Sequence, residues 1–291
     1  MVSPVVLIAA SLGFAFLYPL VERLGERAAT RIALLVLAAF AGTTAGWTVS
    51  LIGSGVALTA DTAGFVAPLS IQLQVTAVDA LAMTVVTLLA LAALVQLTER
   101  ATDRWHGKQV VLFFVLLLGS YGLIMTRDLF NVFVFMEISG ISVFGLLSTS
   151  RDGRVFEAGF KYMVASGLAS VFFLIGTAFV YRSVGSLSIA DITAAAPVAL
   201  ASPVGVMGLL FLVTGILIEL KPAPANGWAI DTYQAADPGI GALLSAVNAT
   251  AMVFVLVRVM PILAGASPVF VPLVLIAGAG AFLIPQAQAL L

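Results

Sequence analysis

Apolar runs of roughly twenty residues recur along the chain, each long enough to cross about 30 Å of hydrocarbon as a helix, with short polar joints between them. They fall near residues 4–20, 32–52, 78–97, 109–126, 129–148, 160–181, 203–220, 240–260 and 268–288. The pattern predicts an all-α polytopic membrane protein with about nine transmembrane helices, the last punctuated by Pro268, Pro272 and Pro285. Two joints carry structure of their own. The SIQLQVT stretch of the second alternates with period two and predicts a short strand or hairpin on the outer surface. The sixth, SVGSLSIADITAAAPVALASP, predicts a loop with a short surface helix. The seventh run behaves differently: apolar Val204 to Ile218 leads into Glu219, Lys221, Pro222, Pro224, Gly227 and Pro238. Prolines and an Asn-Gly pair so close together cannot continue a regular helix, so the seventh helix should be broken. Freed backbone at membrane depth is tolerated only where protein buries it or it lines a wet cavity, which places a hydrated interior here.

Composition agrees with the pattern and narrows the chemistry. Of 291 residues 62% are hydrophobic and 9% charged, with a mean hydropathy of +1.16, far from the roughly quarter-charged make-up of soluble domains. A net charge of -1 without a basic cluster gives no sign of a nucleic-acid partner. The absence of cysteine excludes disulfides, thiolate zinc sites and iron–sulfur ligation within the chain. His106, the single histidine, reads as a solvated loop residue without neighbouring metal ligands. The first apolar segment lacks a small-residue cleavage pattern and reads as a retained helix. Arg23, Arg27 and Arg31 fall in the first joint, Arg100, Arg104 and Lys108 in the third, and Arg151, Arg154 and Lys161 in or beside the fifth. The even joints hold only Arg127, Arg182 and Arg258, so the odd joints are expected in the cytoplasm and the N-terminus outside.

Charges within the apolar runs are the candidate chemistry. Glu137 lies about 12 Å along the fifth helix counted from Leu129, too deep to snorkel to water from either end. An ionisable group at that depth marks a functional site or, in its plainer reading, a protonated glutamate in a helix–helix contact. Lys221 at the break is its candidate basic mate, because a lysine shifts its protonation on burial where an arginine stays charged. Glu219, two residues from Lys221, sits on another face of a regular helix and serves as local counter-charge only if the break bends it round. Lys161 is either a positive-inside anchor or an inward extension of the basic side. Asp79, Asp231 and Asp237 read as helix-start and turn acids. On the eighth helix, Ser245, Asn248 and Thr250 could line a water chain or simply bond across helices. There is no phosphate loop, dinucleotide fingerprint, nucleophile–base pair or haem ligand set, so no catalytic residue, cofactor or metal is expected.

The segment DLFNVFVFMEISGISVFGLL resembles the fifth-helix signature of proton-translocating antiporter-like subunits, especially the D subunit of Mrp-type cation/proton antiporters and relatives in membrane-bound hydrogenases and respiratory complex I. The stretch at 160–192 is similar to the family's sixth helix, and KPAPANGWAIDTYQAADPGIGALLS resembles its broken seventh helix. By that resemblance Glu137 and Lys221 correspond to the family's acid and amine, the pair held to drive proton movement. In two respects the sequence departs from the pattern. Lys221 stands closer to Trp228, and Ser245 or Asn248 stands where the eighth helix usually carries a basic residue. The family also continues into a second five-helix repeat. The expected organisation is a two-helix segment with a surface hairpin at 1–75, an antiporter-like bundle at 76–263 and a C-terminal helix at 264–291. The expected function is an ion-translocating subunit of a multisubunit complex in the inner membrane of a prokaryote, moving protons alone or in exchange for Na⁺. Other membrane subunits, one carrying the missing second repeat, are the expected partners, and they would catalyse any redox reaction. The alternative is a non-conducting scaffold of the same membrane arm.

Overall fold

The computed structural model describes residues 2–62, 65, 70–100, 107–150, 152–223 and 226–289; Arg104, His106, Arg151 and Pro224 lie outside the described residues. Helices α1 (Pro4–Val21) and α2 (Glu26–Ser54) lead into strands β1 (Leu58–Asp61) and β2 (Gln72–Val75). Then come α3 (Ala77–Arg100), α4 (Gly107–Met125), α5 (Leu129–Ser148), α6 (Gly153–Val184) and the short α7 (Ile189–Ala199). The broken segment forms α8 (Pro203–Leu220) and α9 (Gly227–Ala235). Helix α10 (Pro238–Ala242) passes through a π-helical turn, Leu243–Asn248, into α11 (Ala249–Ala266), and α12 is Phe270–Ala289. Among the described residues eight helical segments are long and apolar enough to span a membrane, Pro238–Ala266 counting as one. The ninth run forms α12, whose described apolar part, Phe270–Ala281, is shorter than a span.

The expected strand is β2, which pairs antiparallel with β1 from Leu58↔Val75 to Asp61↔Gln72. The expected surface helix is α7. Bridges Leu73↔Thr126 and Asp128↔Ser188 place the second, fourth and sixth joints on one side of the bundle. That side is called the hairpin side below.

Helix α4 is the central post. From Leu116 to Met125 its residues are buried, and α1, α5 and α11 pack around it. The closest helix pair is α6 with α8, where glycines let the backbones touch. A Cβ at Gly176 would stand 2.6 Å from Leu212 N, and one at Gly215 would stand 2.6 Å from Ala169 O. Small residues at membrane helix contacts permit this approach, and dispersion between the backbones then holds it. The consequence is positional: α6 fixes where the end of α8 lies.

Candidate functional site

Helix α5 begins at a capped joint. The Asp128 side chain accepts a hydrogen bond from Asn131 N at 2.8 Å, the usual N-cap geometry. Burial pushes the Asp128 carboxyl up from its ordinary range, with the Asn131 and Phe130 amides pulling it back. From this start α5 carries Glu137 in a stripe with Gly140 and Phe144, three and seven residues on. That stripe faces α6: a Cβ at Gly140 would stand 2.8 Å from Ser166 Oγ, and one at Gly159 would stand 3.8 Å from Phe144 Cδ2. Glu137 lies one turn from the Gly140–Ser166 contact, half-buried, and makes no hydrogen bond or ion pair among the described residues.

The end of α8 brings the next groups together. Lys221 has φ 57° and ψ 48°, the left-handed conformation that ends many helices but which side chains other than glycine adopt at a cost of about 1–2 kcal/mol. That one residue bends the chain back. Lys221 Nζ donates to its own helix end, at 2.8 Å from Glu219 O, and lies 4.0 Å from Glu219 Oε2. It also lies over the Trp228 ring, 5.6 Å from the centroid. A helix C-terminus, a carboxylate and an aromatic face are three recognised partners of a cation, and here they share one ammonium. Both side chains are buried, Lys221 at 6% and Glu219 at 4% exposure. Two-residue spacing opposes Lys221 and Glu219 in a regular helix; the left-handed residue makes them meet.

Around this pair, Ser166 Oγ donates to Glu219 Oε1 in a short hydrogen bond, while Oε2 has no hydrogen-bond partner among the described residues. Tyr162, fully buried on α6, meets Trp228 edge to face at 5.6 Å. Its hydroxyl accepts from Asn248 Nδ2 at 3.5 Å, the outer limit of a hydrogen bond. Asn248 closes the π-helical turn, a departure from α geometry that recurs at functional sites.

Of the residues singled out in the sequence, Lys221 and Glu219 therefore meet, Asn248 reaches them through Tyr162 and Trp228, and Glu137 lies one turn from the Gly140–Ser166 contact without touching any of them. Lys161 points elsewhere. It pairs with Glu157 at 2.9 Å and Asp231 at 2.8 Å on the exposed face, tying α6 to α9, while its neighbour Tyr162 points inward. Ser245 is exposed and bonds back to Gly241 O at 3.1 Å and Ala242 O at 3.2 Å. Thr250 is half-buried, so only Asn248 of the three polar residues joins the cluster. Among the described residues no group of three or more His, Asp or Glu gathers to hold a metal.

Sequence reasoning missed Ser166, whose signal was a small polar residue on the apolar sixth helix. It also missed an ion cluster on the hairpin side. Asp79 binds Arg127 at 2.7 Å and Arg258 at 2.9 Å. Arg258 donates further to Leu123 O and Thr126 O, both at 3.0 Å, and to Ile124 O, closing the end of α4. Asp79 also accepts from Thr76 N at 3.0 Å, so the expected helix-start acid is in addition the anchor of two buried arginines. The signal was there: opposite charges on joints that share a side.

Comparison with known proteins bears directly on this arrangement. A family model described as NADH:quinone oxidoreductase/Mrp antiporter, TM, matches residues 126–291, which include α5, the break and the π-helical turn. NADH-quinone oxidoreductase subunit N of Desulforudis audaxviator is 30% identical over 200 residues, covering 68% of this chain and 40% of that one. Among solved structures, a chain of the membrane-bound sulfane sulfur reductase, an archaeal respiratory membrane complex, superposes with a TM-score of 0.86 at 30% identity, over 91% of this chain and 54% of that chain. A chain of the Mrp complex from Dietzia sp. gives 0.74 at 25% identity, over 88% and 48%. The chain thus spans less than half of the curated relative and about half of each structural one. With the matched residues holding the break, the buried lysine and the intramembrane glutamate, the chain belongs to the NADH:quinone oxidoreductase/Mrp antiporter transmembrane family.

Proposed function

We propose that this antiporter-like chain is an ion-translocating subunit of a multisubunit complex in a prokaryotic inner membrane, with its N-terminus outside. The transported ion is the proton, and Glu137 and Lys221 are the relay. The observation that carries the reading is the buried Lys221 ammonium at the end of α8, beside Glu219 with Ser166 on its carboxylate, on the helix α6 that the Gly140 stripe of α5 packs against. A buried ammonium and a nearby acid respond strongly to any further charge, because little solvent screens them. A proton arriving at Glu137 removes the charge that would receive Lys221 once it leaves the end of α8; a proton leaving restores it. Glu219 supplies the local counter-charge. Lys161, at the exposed edge with Asp231, is the rim of the path. Asn248 continues it, where Ser245 and Thr250 contribute only through ordered water. Partner subunits of the complex catalyse any redox reaction.

Vesicles containing the assembled complex test this. Glu137→Gln and Lys221→Ala should each abolish proton pumping or Na⁺-driven proton exchange while the complex remains intact. Unchanged flux in both variants would overturn the relay and leave the chain a membrane scaffold, in which case deletion should disperse the neighbouring subunits.

A further inference from the structure

We propose that Glu219, tethered by Ser166, is a parking partner that holds the Lys221 ammonium away from Glu137, so that the relay advances only when Lys221 leaves the end of α8. The inference rests on the relay reading above and adds to it a second carboxylate and the residue that controls it.

Two acids compete for one amine. Glu137 makes no ion pair among the described residues, whereas the ammonium is engaged at three points beside Glu219: its carboxylate, its carbonyl and the Trp228 face. The left-handed backbone at Lys221 is what folds the side chain over its own helix end, so parking is built into the break. The hold is also loose in one respect. Oε2 stands 4.0 Å from Nζ and accepts no hydrogen bond, so the carboxylate steadies the ammonium without gripping it through a short contact. What fixes the carboxylate is Ser166, which donates to the other oxygen.

Ser166 is in turn placed by α5. Its hydroxyl occupies the space that the missing side chain of Gly140 leaves, and a methyl group there would stand 2.8 Å from Ser166 Oγ. Gly140 is one turn from Glu137 on the same stripe. A displacement of α5 at Glu137 therefore reaches Glu219 through two contacts, Gly140 to Ser166 and Ser166 to the carboxylate. In this arrangement Ser166 and Gly140 are positioning residues, acting on Lys221 only through Glu219.

The test reads who holds Lys221. The chain has three lysines, Lys108, Lys161 and Lys221, so a membrane-permeant amine-reactive reagent gives three distinguishable sites by mass spectrometry, with exposed Lys161 as the internal reference. In the assembled complex, Glu137→Gln should leave Lys221 labelling at the wild-type rate. Glu219→Gln should raise it about tenfold, equivalent to ~1.4 kcal/mol of lost hold on the ammonium. Ser166→Ala and Gly140→Ala should raise it in the same direction without removing any charge. Unchanged Lys161 labelling in each variant excludes general loosening as the cause. The proposal is overturned if Glu219→Gln labels at the wild-type rate or more slowly, or if Glu137→Gln gives the larger rise. Flux separates the two readings: if Glu137→Gln and Lys221→Ala leave transport intact, the relay fails whatever the labelling shows. If they abolish transport and Glu219→Gln changes neither flux nor labelling, parking alone fails.

Discussion

Replacing Asp79 removes the anion that sits between two nearly buried guanidinium groups. The side chains of Asp79, Arg127 and Arg258 are 6%, 14% and 11% exposed, so solvent screens little of the resulting repulsion. Breaking a buried ion pair by deleting one partner costs about 3–5 kcal/mol, because the other charge is left uncompensated. Asp79→Ala should therefore cost about 4 kcal/mol, including the cap it supplies to Thr76 N. Arg258→Met leaves Asp79 paired to Arg127 but takes the side-chain donor from Leu123 O, and leaves Ile124 O and Thr126 O only the longer Arg127 Nη1 contacts, both at 3.4 Å. A carbonyl left without a donor in a buried place costs about 1–3 kcal/mol, so roughly 3 kcal/mol is expected in all. The double variant leaves one arginine, which still reaches Gln74 Oε1 at 2.8 Å. Its loss should fall short of the sum by about 2–3 kcal/mol, the size of coupling seen for residues in one ion network. Reversible unfolding in mixed micelles, followed by Trp47 and Trp228 fluorescence, measures all three. Losses that add to within about 0.5 kcal/mol would refute the shared-aspartate account.

Other expectations follow the same physics. Glu219→Leu should destabilise more than Glu219→Leu with Lys221→Met, by about 2 kcal/mol in the same unfolding assay, because the single change strands a buried ammonium; equal losses would show that the two groups do not interact. Gly215→Leu should prevent α6 and α8 from closing, since even its Cβ would collide with Ala169 O, and should reduce the folded yield on size-exclusion chromatography. Burial raises the folded-state value of Asp128 above its unfolded one, so this group's stabilising contribution is full at acid pH and is lost as pH rises through the folded value. Asp128→Asn keeps a capping oxygen and removes the titration, so its unfolding midpoint should change less than the wild type's between about pH 4 and pH 7. Parallel pH profiles would contradict that assignment.

Most of the architecture is written in the apolar runs, and the departures have physical causes. The first run predicts 4–20 and α1 is Pro4–Val21; the seventh predicts 203–220 and α8 is Pro203–Leu220. The second and sixth runs predict 32–52 and 160–181, yet α2 and α6 extend to Glu26–Ser54 and Gly153–Val184. Hydropathy ends where charge begins, whereas helical hydrogen bonding continues beyond the hydrocarbon into charged turns. The period-two SIQLQVT stretch does form a strand, β2, because its alternate residues Leu73 and Val75 are buried against the bundle. The site was legible in its residue types and obscure in its pairings. Nothing in ELKP announces a left-handed lysine, and without that one backbone angle Glu219 and Lys221 cannot meet. Ser166 was hidden for another reason: its role depends on the absent side chain of Gly140, a contact between helices that no local pattern encodes. The arginines were obscured by their place beside short joints, where a solvated loop charge and a buried one have the same sequence signature.

The two charge clusters together constrain how the helices can move. Arg127 stands ten residues before Glu137 and Arg258 ten residues after Asn248, so each arginine lies roughly 15 Å along its helix from one of these two groups. Helices α5 and α11 run in opposite directions, which puts Glu137 and Asn248 at a similar depth below the hairpin side. Asp79 holds both arginines, so the start of α5 and α11 at Arg258, two turns before its end, are pinned to each other through α3 and to the end of α4. Movement is then cheapest where the pins are farthest and the backbone is already irregular, at the π-helical turn of Leu243–Asn248 and the break after Leu220. Those are the places that hold Asn248, Lys221 and Glu219. In the relay proposed above, a bundle fixed at one face and irregular at mid-depth would shift its buried charges relative to one another while its hairpin side stayed closed. A helix bundle with regular helices throughout and no such pin would have to slide as a whole to achieve the same rearrangement.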